Sequence, residues 1–330
     1  MVVTKFIAIM NKDDKIFVAG STGMVGSAIV RLLLDKGFTD IIGSINRRKP
    51  RDTKGVSYVK INLLDYNDVA AFFEREKPDY VFDAAAKVGG IVANSIYRGQ
   101  FLFENLQIQN NIIHNAYLHK VKKLLFLGSS CIYPKDAPQP IKEEYLLTGI
   151  LEDTNEPYAI AKIAGLKMCE SYNRQYKTNF IAAMPTNLYG TADSYDPQNS
   201  HVFPALIRKF HEAKESGAPN VTIWGTGAPM REFMHVDDLA AALFHLMENY
   251  EGNEFFNIGW GKDISIKDLA LLIKDVIGYE GELVFDTSKP DGTFRKLLDV
   301  TRLTELGFTP SIGIREGIAD SYKDFMENYT

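Results

Sequence analysis

The sequence predicts an α/β protein with a doubly wound parallel sheet and a smaller, discontinuous α/β unit. Short apolar runs alternate with helical patterns from residue 15 to about residue 185, as in parallel sheets covered by helices. A glycine-rich turn separates the first run from the first helical pattern. The alternation breaks at Pro185, where a loop rich in Asp, Asn, Ser and Pro begins, so we expect a second unit there.

Composition limits the classes of protein that fit. The 330 residues are 45% hydrophobic and 24% charged, with a net charge of −5, so nothing favours nucleic acid or an anionic membrane surface as partner. No apolar run approaches the roughly 20 residues of a membrane span. Two cysteines allow neither a disulfide framework nor a cysteine-rich zinc site, and we predict no metal and a reducing, cytoplasmic setting.

The first glycine-rich turn follows the strand pattern of residues 15–19. Its spacing is G-x-x-G-x-x-G, and helical periodicity continues to Gly37. Such glycines let the backbone turn tightly and bring a pyrophosphate to the helix N-terminus, as in a Rossmann dinucleotide site. The alternative is a strand-to-helix turn without a ligand. We expect the cofactor to contact the whole turn and the first helical residues: Gly20, Ser21, Thr22, Gly23, Met24, Val25 and Gly26.

The end of the second strand pattern, residues 41–45, indicates which dinucleotide is bound. An NAD site usually places an acid there, whereas arginines accommodate the 2′-phosphate of NADP. Arg47, Arg48, Lys49 and Arg51 follow this strand, and no acid does. We therefore predict NADP(H), the alternative being a solvated basic loop. Two later strand ends extend the predicted site: Asp65, after Leu64, contacts an adenine amino group or caps a helix, and Ala85 lets the cofactor approach closely.

A predicted helix carries an acid/base pair. Asn155 suits its N-cap and Pro157 its first turn. Tyr158 and Lys162 are then i and i+4 on one face. A fixed ammonium stabilises the phenolate, so we expect Lys162 to lower the pKa of Tyr158. Most such pairs are simply surface residues, and the case here depends on residues 128–133, which follow the fifth strand pattern and belong at the ligand-binding edge.

Five elements in order resemble the extended short-chain dehydrogenase/reductase family: the Gly20–Gly26 turn, Asp65, the Gly128-Ser-Ser sequence, Tyr158-x-x-x-Lys162 and the stretch 231–238. Narrower stretches resemble members of that family that epimerise C3 and C5 of GDP-4-keto-6-deoxymannose and then reduce C4 with NADPH. These stretches are residues 84–94, 127–134, 155–165, 184–190, 199–202 and 288–292. Thr22 departs from the pattern, because relatives often carry a cation there, so the 2′-phosphate contact must depend more on the arginines after residue 46.

The resemblance implies a role for each matching residue. Ser129 and Tyr158 hold the C4 oxygen of the substrate, and Lys162 also holds the nicotinamide ribose. Cys131 and His201 form the acid/base pair for epimerisation, with both groups expected to titrate near neutral pH. Further cofactor contacts are Pro185, Asn187, Leu188 and His201. The residues expected to hold the GDP-sugar are Lys209, Trp224, Arg231 and Asp291.

Several of these residues have a structural alternative. Cys131 is a small buried hydrophobe in that alternative, and His201 is an ordinary loop histidine. Trp224 either packs in the core or stacks on guanine. We expect Cys169 to lie in the core and His235 to cap or pack the following helix. Competing functions are a related nucleotide-sugar 4-reductase or dehydratase without double epimerisation, and a non-catalytic NADP-binding sensor.

The same patterns give a division of the chain and a partner. We predict an N-terminal extension of unknown role (1–14), an NADP-binding domain (15–187 and 235–259) and a substrate-binding domain (188–234 and 260–330). The predicted helices at 98–119 and 158–176 carry apolar residues around most of their circumference. Packing on a sheet uses one face, so we predict that the other faces pair in a homodimer. The alternative is coverage by the chain's own loops.

Overall fold

A computed structural model describes residues 10–46, 48–51, 53–197, 200–289 and 291–329. Thirteen strands are assigned within these ranges. They are β1 (Ile16–Ala19), β2 (Ile41–Ile45), β3 (Val56–Lys60), β4 (Tyr80–Asp83), β5 (Lys123–Leu127), β6 (Phe180–Pro185), β7 (Asn187–Tyr189), β8 (Asn220–Trp224), β9 (Met230–His235), β10 (Phe256–Ile258), β11 (Asp263–Ser265), β12 (Glu282–Asp286) and β13 (Arg295–Lys296).

Ten α-helices lie in the same ranges. They are α1 (Met24–Asp35), α2 (Tyr66–Glu76), α3 (Ile91–Ile96), α4 (Arg98–Leu118), α5 (Glu156–Tyr176), α6 (Val202–Ser216), α7 (Val236–Asn249), α8 (Ile266–Ile277), α9 (Thr301–Glu305) and α10 (Ile314–Asn328). None of these helices is both long and apolar enough to cross a membrane.

The central sheet has seven parallel strands in the order β10-β6-β5-β4-β1-β2-β3, which confirms the predicted doubly wound fold. Residues of α1 and α7 form one hydrophobic core against it, and residues of α2, α4 and α5 form a second core on the opposite face. The inner strands are buried on both faces and therefore read as continuous apolar runs rather than alternating ones. All carboxyl ends of the strands lie at one edge, where the candidate site is built.

A third hydrophobic core lies beyond β6. It joins α6, α8 and α10 to the small sheets β12-β8 and β11-β9-β13, with β7 pairing β9. Leu298 and Leu303, by contrast, pack in the two cores of the central sheet. The chain therefore leaves the central sheet and returns to it more than once. The predicted domain boundaries stay a prediction.

Three details differ from the sequence-based expectations or extend them. Residues 225–238 contain strand β9 before the helix that His235 is expected to cap or pack, because this stretch pairs with three other strands. Asn155 stands at the N-cap of α5, but its side chain makes no capping hydrogen bond. Of the predicted N-terminal extension, residues 1–9 lie outside the described residues, whereas Met10 is buried in the core and Asp14 pairs with Lys122 at 2.9 Å.

Candidate active site

The glycine-rich turn has the geometry that close approach requires. Gly20 has a φ of +76°, and a Cβ there would lie 2.9 Å from the Cα of Ala85. A Cβ on Gly26 would lie only 2.1 Å from the carbonyl oxygen of Gly20. Both contacts are shorter than real Cβ atoms tolerate, so a larger side chain would push the turn away from β4 or from α1. The predicted strand, turn and helix are confirmed in that order.

Hydrogen bonds from β2 hold this turn in place. The amide of Gly20 donates to Ser44 Oγ at 2.8 Å, and Ser21 Oγ donates to the carbonyl oxygen of Ser44 at 2.7 Å. The Ser21 side chain is therefore buried and leaves only its backbone for a cofactor. Helix α1 has no side-chain cap at Gly23 and no acid in its first turn. Its free amides suit an anion such as a pyrophosphate.

The predicted 2′-phosphate loop is only partly open. Arg47 lies outside the described residues. Arg48 and Arg51 are both exposed, and Arg51 pairs with Asp324 on α10. Burial raises the pKa of Asp193 to about 7, and the nearby charge of Arg48 opposes this shift. Of these two exposed arginines, Arg48 is the one without an ion pair among the described residues.

The remaining predicted cofactor residues have defined local roles. Asp65 caps α2, since its Oδ1 accepts from the amide of Asn67 at 2.8 Å, and next to it Leu64 is exposed. Pro185 ends β6, and Asn187 Nδ2 donates to the carbonyl oxygen of Glu232 at 2.9 Å. Of the two readings for Asp65, helix capping is the one that the structure shows directly. Of the other cofactor positions, Ala85 follows β4 and Leu188 lies in β7.

Helix α5 brings Tyr158 and Lys162 together as their spacing predicts. The Lys162 side chain is only 3% exposed, and its Nζ lies 5.8 Å from the centroid of the Tyr158 ring. The same Nζ donates to the carbonyl oxygen of Leu127, at the end of β5, at 2.7 Å. The ammonium is therefore fixed at the carboxyl edge of the sheet beside the phenol.

The predicted effect of this ammonium on the phenol is corrected. Burial raises the pKa of Tyr158 above its ordinary value, and a negative charge at Cys131 would raise it further. Burial also lowers the pKa of Lys162. The loss of water around the phenol sets the direction of this shift, so Tyr158 is held as a neutral proton donor.

Ser129 and Cys131 complete the cluster. Ser129 Oγ accepts from the amide of Cys131 at 3.3 Å, just beyond β5. Cys131 is 7% exposed, and burial raises the pKa of its thiol while Lys296, Ser129 and Lys162 oppose the shift. The expectation that Cys131 titrates near neutral pH is corrected, because a buried thiol holds its proton. Ser129, Cys131, Tyr158 and Lys162 thus form one group, which we call the proton-transfer cluster.

With this geometry in place, the comparisons with known proteins become informative. Residues 16–259, more than half of the chain, match the NAD dependent epimerase/dehydratase family. The chain belongs to this family. It is 55% identical over 319 residues to a putative GDP-L-fucose synthase 2 of Arabidopsis thaliana, covering 97% of this chain and 94% of that protein.

Two further relatives extend the comparison. The GDP-L-fucose synthase of Escherichia coli strain K12 is 53% identical over 324 residues, covering 96% of this chain and 97% of that protein. A solved structure of a GDP-L-fucose synthetase from Naegleria fowleri bound to NADP is 28% identical, with a TM-score of 0.87. That alignment covers 99% of this chain and 96% of the solved one. Family membership therefore extends over nearly the whole chain.

His201, the predicted partner of Cys131, stands at the start of α6 in this epimerase/dehydratase family member. It occupies the N-cap position of α6 and is open to solvent at that point. Although the residue keeps exposed surface, the protein around the ring lowers its pKa by desolvation, so the imidazole is neutral at neutral pH. The contacts seen between described residues join the four cluster members to one another but not to His201.

The predicted substrate residues lie on the second unit. Trp224 is 66% exposed, which rules out the core alternative, and Lys209 Nζ lies 5.8 Å from its ring centroid. Lys289 lies over the same ring at 5.7 Å. Asp291 is engaged by the turn after β8, since its Oδ1 accepts from the amide of Thr226 at 2.6 Å. An exposed indole between two cations suits a planar, anionic nucleotide.

Arg231 and His235 stand at opposite ends of β9. Burial lowers the pKa of Arg231, and its Nη1 donates to the carbonyl oxygen of Met230 at 2.8 Å. His235 is buried, and its Nδ1 accepts from the amide of Asp237 at 3.3 Å. The prediction that His235 caps the following helix is confirmed. Cys169 is 1% exposed in the core on the α5 side, also as predicted.

Two site residues escaped the sequence analysis. Lys296 in β13 acts electrostatically on Cys131 and lines a small cavity beside it, together with Asn155 and Arg295. Glu232 is fully buried, and its two carboxylate oxygens accept from the amides of Gly261 and Leu298 at 2.7 and 3.0 Å. No local spacing signals either residue, because each acts on partners far away along the chain.

Proposed function

We propose that this protein epimerises C3 and C5 of GDP-4-keto-6-deoxy-D-mannose and then reduces C4 with NADPH to give GDP-L-fucose. The observation that carries the proposal is the position of Cys131. Its thiol shares one buried cluster with Ser129, Tyr158 and Lys162. A simple reductase needs the serine, tyrosine and lysine but has no use for a further proton carrier there. The relatives named GDP-L-fucose synthase support the same assignment.

The epimerisation follows from the acidity of protons next to a ketone. Removal of the C3 or C5 proton gives an enolate whose charge lies largely on the C4 oxygen. Ser129 and Tyr158 donate hydrogen bonds to that oxygen and stabilise the charge. Inversion removes a proton from one face and delivers one to the other. Cys131 enters as a protonated thiol and His201 as a neutral imidazole, so the pair holds one group able to give a proton and one able to accept it.

The reduction uses the same oxygen-binding groups. NADPH, when bound, supplies a hydride to C4. Tyr158 then protonates the new alkoxide, and a phenol that burial keeps neutral is in the right state to do so. Lys162 holds the nicotinamide ribose and keeps a positive charge beside the phenolate that forms. One oxygen-binding site therefore serves both reactions.

NADP(H) is the proposed cofactor rather than NAD(H). Arg48 is exposed at the end of β2, and no acid stands at that strand end to bind a ribose 2′-hydroxyl. The solved relative from Naegleria fowleri that carries NADP supports this choice. Trp224, Lys209 and Arg231 are proposed to hold the GDP-sugar, while Asp291 shapes the neighbouring turn. The two free cysteines, both buried, accord with the proposed reducing, cytoplasmic setting.

A homodimer through α4 and α5 is also proposed. The two helices pack side by side over the central sheet. Their outward faces leave large apolar side chains exposed: Phe103 (63%), Leu118 (47%), Ile160 (43%) and Tyr176 (42%). Exposed apolar area of this kind is typical of a protein–protein interface. A second copy of the same face supplies a matching apolar surface.

The central test measures NADPH oxidation at 340 nm with GDP-4-keto-6-deoxy-D-mannose, comparing the wild type with Cys131→Ser. We expect turnover in the wild type and a loss of at least about a hundredfold in the variant, the scale of general acid/base catalysis. In heavy water, the wild-type product should carry deuterium at C3 and C5. Equal turnover in both proteins, without deuterium uptake, would instead identify a simple 4-reductase.

A third outcome separates the enzyme from a sensor. Tight NADPH binding with no turnover in either protein would indicate another substrate or a non-catalytic NADP-binding role. Cys169→Ser is the matched control, because this second cysteine is buried on the inner side of α5 and lies outside the cluster. Its substitution should leave turnover near the wild-type value in the folded protein.

A further inference from the structure

The carboxyl group of Asp83 is buried beneath the proton-transfer cluster without an evident structural role. Asp83 is the last residue of β4 and is 1% exposed. The nearby amide of Ala85 favours the charged form, but neither carboxylate oxygen has a hydrogen bond of normal geometry among the described residues. Burial of a charged group is costly unless an opposite charge or hydrogen bonds compensate. An unpartnered buried acid at a functional edge therefore requires an explanation.

The strand register brings Asp83 close to the cluster. Asp83 pairs with Phe126 across the β4–β5 ladder, and both lie on the sheet face that α5 covers. Lys162 Nζ lies 4.8 Å from the centroid of the Phe126 ring. Gly165 packs on the same ring so closely that a Cβ there would lie 2.4 Å from its edge. The carboxyl group and the ammonium are therefore held around one phenyl ring by two strands and a helix.

The position of Asp83 also connects it to the cofactor turn. Ala84 and Ala85 follow directly, and the Gly20 turn touches both of them. Asp83 thus lies next to the backbone on which a dinucleotide would rest. Lys162, the cation close to it, is the residue that would hold the nicotinamide ribose. No other described acid is resolved as acting on Lys162.

We propose that Asp83 is a positioning residue for Lys162: its buried carboxylate is the counter-ion that keeps the Lys162 ammonium charged in a dry site. This proposal deepens the proposed function, since the role of Lys162 depends on it. Burial raises the pKa of Asp83 to about 6 and lowers the pKa of Lys162, and each group opposes the shift of the other, so Asp83 carries its charge above neutral pH. Without the acid, only a thiolate at Cys131 would support the ammonium.

Several other titratable groups surround this pair, among them Cys169 on α5, on which Asp83 acts electrostatically. Cys131, in the turn after β5, acts on Lys162 directly. Tyr158 lies one turn away on α5, and Lys296 from β13 acts on Cys131. All of these stay unchanged when Asp83 alone is substituted. A change in the titration of Lys162 would then report on the removed carboxylate.

The test measures NADPH affinity by fluorescence titration between pH 7 and 10 for the wild type, Asp83→Asn and Asp83→Leu. The wild-type affinity should fall at alkaline pH as Lys162 loses its proton. An opposite charge at close range changes a pKa by about one to three units, so the midpoint of this fall should move at least about one pH unit lower in both variants. The alkaline limb of kcat/KM should move with it.

Controls make the result decisive. Glu143→Gln removes another buried acid, which lies beside Asn257 and is not resolved as acting on Lys162, and should keep the wild-type midpoint. Melting temperatures identify any variant that fails to fold, and the isosteric Asn variant keeps the test available if the Leu variant does. A midpoint within about 0.3 pH unit of wild type in both Asp83 variants, or an equal shift in Glu143→Gln, would overturn the proposal.

The binding readout also separates this proposal from the proposed function. NADPH titration requires no GDP-sugar and no turnover. A shifted midpoint in a protein that fails to oxidise NADPH with GDP-4-keto-6-deoxy-D-mannose would support the role of Asp83 and contradict the assigned reaction. Turnover with unshifted midpoints would support the assigned reaction and contradict the role of Asp83.

Discussion

Arg51, in the basic loop after β2, forms an ion pair with Asp324 on the last helix, α10. The same carboxylate also accepts a hydrogen bond from the amide of Ala192 at 3.0 Å. Asp324 therefore links the loop after β2, the loop after β7 and α10. The contact directs one arginine of the predicted 2′-phosphate loop toward the second unit of the chain. Arg48 stays exposed at the strand end.

This difference between the two arginines predicts the basis of cofactor choice. Arg48→Ala should raise the Kd for NADPH about tenfold, since a charge-assisted hydrogen bond contributes about 1.5–3 kcal/mol. The Kd for NADH, which lacks the 2′-phosphate, should stay the same. Arg51→Ala should weaken NADPH binding less and lower the melting temperature more. Fluorescence titration with both cofactors checks this, with Arg75→Ala on α2 as the control. An equal loss for NADPH and NADH would contradict the assignment.

Trp224 should contribute to substrate binding and not to stability. Because its ring is exposed and flanked by Lys209 and Lys289, Trp224→Ala should raise KM for the GDP-sugar roughly tenfold. The Kd for NADPH and the melting temperature should change little. Trp224→Phe should restore part of the affinity. Leu271→Ala, which removes an exposed apolar side chain from α8, is the matched control. A lower melting temperature with an unchanged KM would show a packing role instead.

The proposed dimer makes a direct prediction for charge insertion. Phe103→Glu together with Ile160→Glu should convert the dimer to a monomer, because each copy would bury two unpaired carboxylates and the interface would hold four. Sedimentation velocity at micromolar concentration measures the change. Leu271→Glu places the same charge on an exposed apolar position of α8 and should leave the assembly intact. A wild type that sediments as a monomer would exclude the dimer altogether.

Glu232 should be a determinant of stability. Glu232→Ala leaves the buried amides of Gly261 and Leu298 without acceptors, and each such loss costs about 1–3 kcal/mol. We therefore expect the free energy of unfolding to fall by about 3 kcal/mol in urea titrations. Thr222→Ala, on β8 in the small outer sheet, serves as the control. A free energy of unfolding equal to that of the wild type within error would mean that water replaces the carboxylate as the acceptor.

The pH dependence of stability should carry the signature of the same residue. Burial raises the pKa of Glu232 from 4.5 to about 7, so the folded state holds its proton more tightly than the unfolded state. The stability that this adds is complete below pH 4.5 and is lost as pH rises through about 7. The wild type should therefore lose stability relative to Glu232→Gln as the pH rises from about 5 to about 8. A constant difference across that range would contradict the raised pKa.

Much of the site could be predicted because its signals are local. The spacing of Gly20, Gly23 and Gly26 determines a turn that only glycines allow, and the structure shows the close contacts that enforce it. Tyr158 and Lys162 meet because they are i and i+4 on one helix. Cys131 stands two residues after Ser129 at a strand end, so the two residues are close in space because they are close in the sequence.

Other features have no local signal. Lys296 reaches Cys131 from far along the chain, and Arg51 reaches Asp324 across more than 270 residues. Strand β9 depends on three short partners, β7, β11 and β13, that are distant in the sequence. The role of Asp83 depends on the register that places it opposite Phe126. Each of these depends on which strands become neighbours.

The sequence by itself determined the family, the parallel α/β fold, the cofactor turn and the order of the acid/base residues along the chain. These properties depend on residue spacing and on short-range backbone geometry. Only the tertiary structure decided the protonation states and the electrostatic partners: the neutral phenol of Tyr158, the protonated thiol of Cys131 and the carboxylate below Lys162. The physical reason is that desolvation and Coulomb energy depend on all the atoms packed around a group, and most of those atoms belong to residues distant in the sequence.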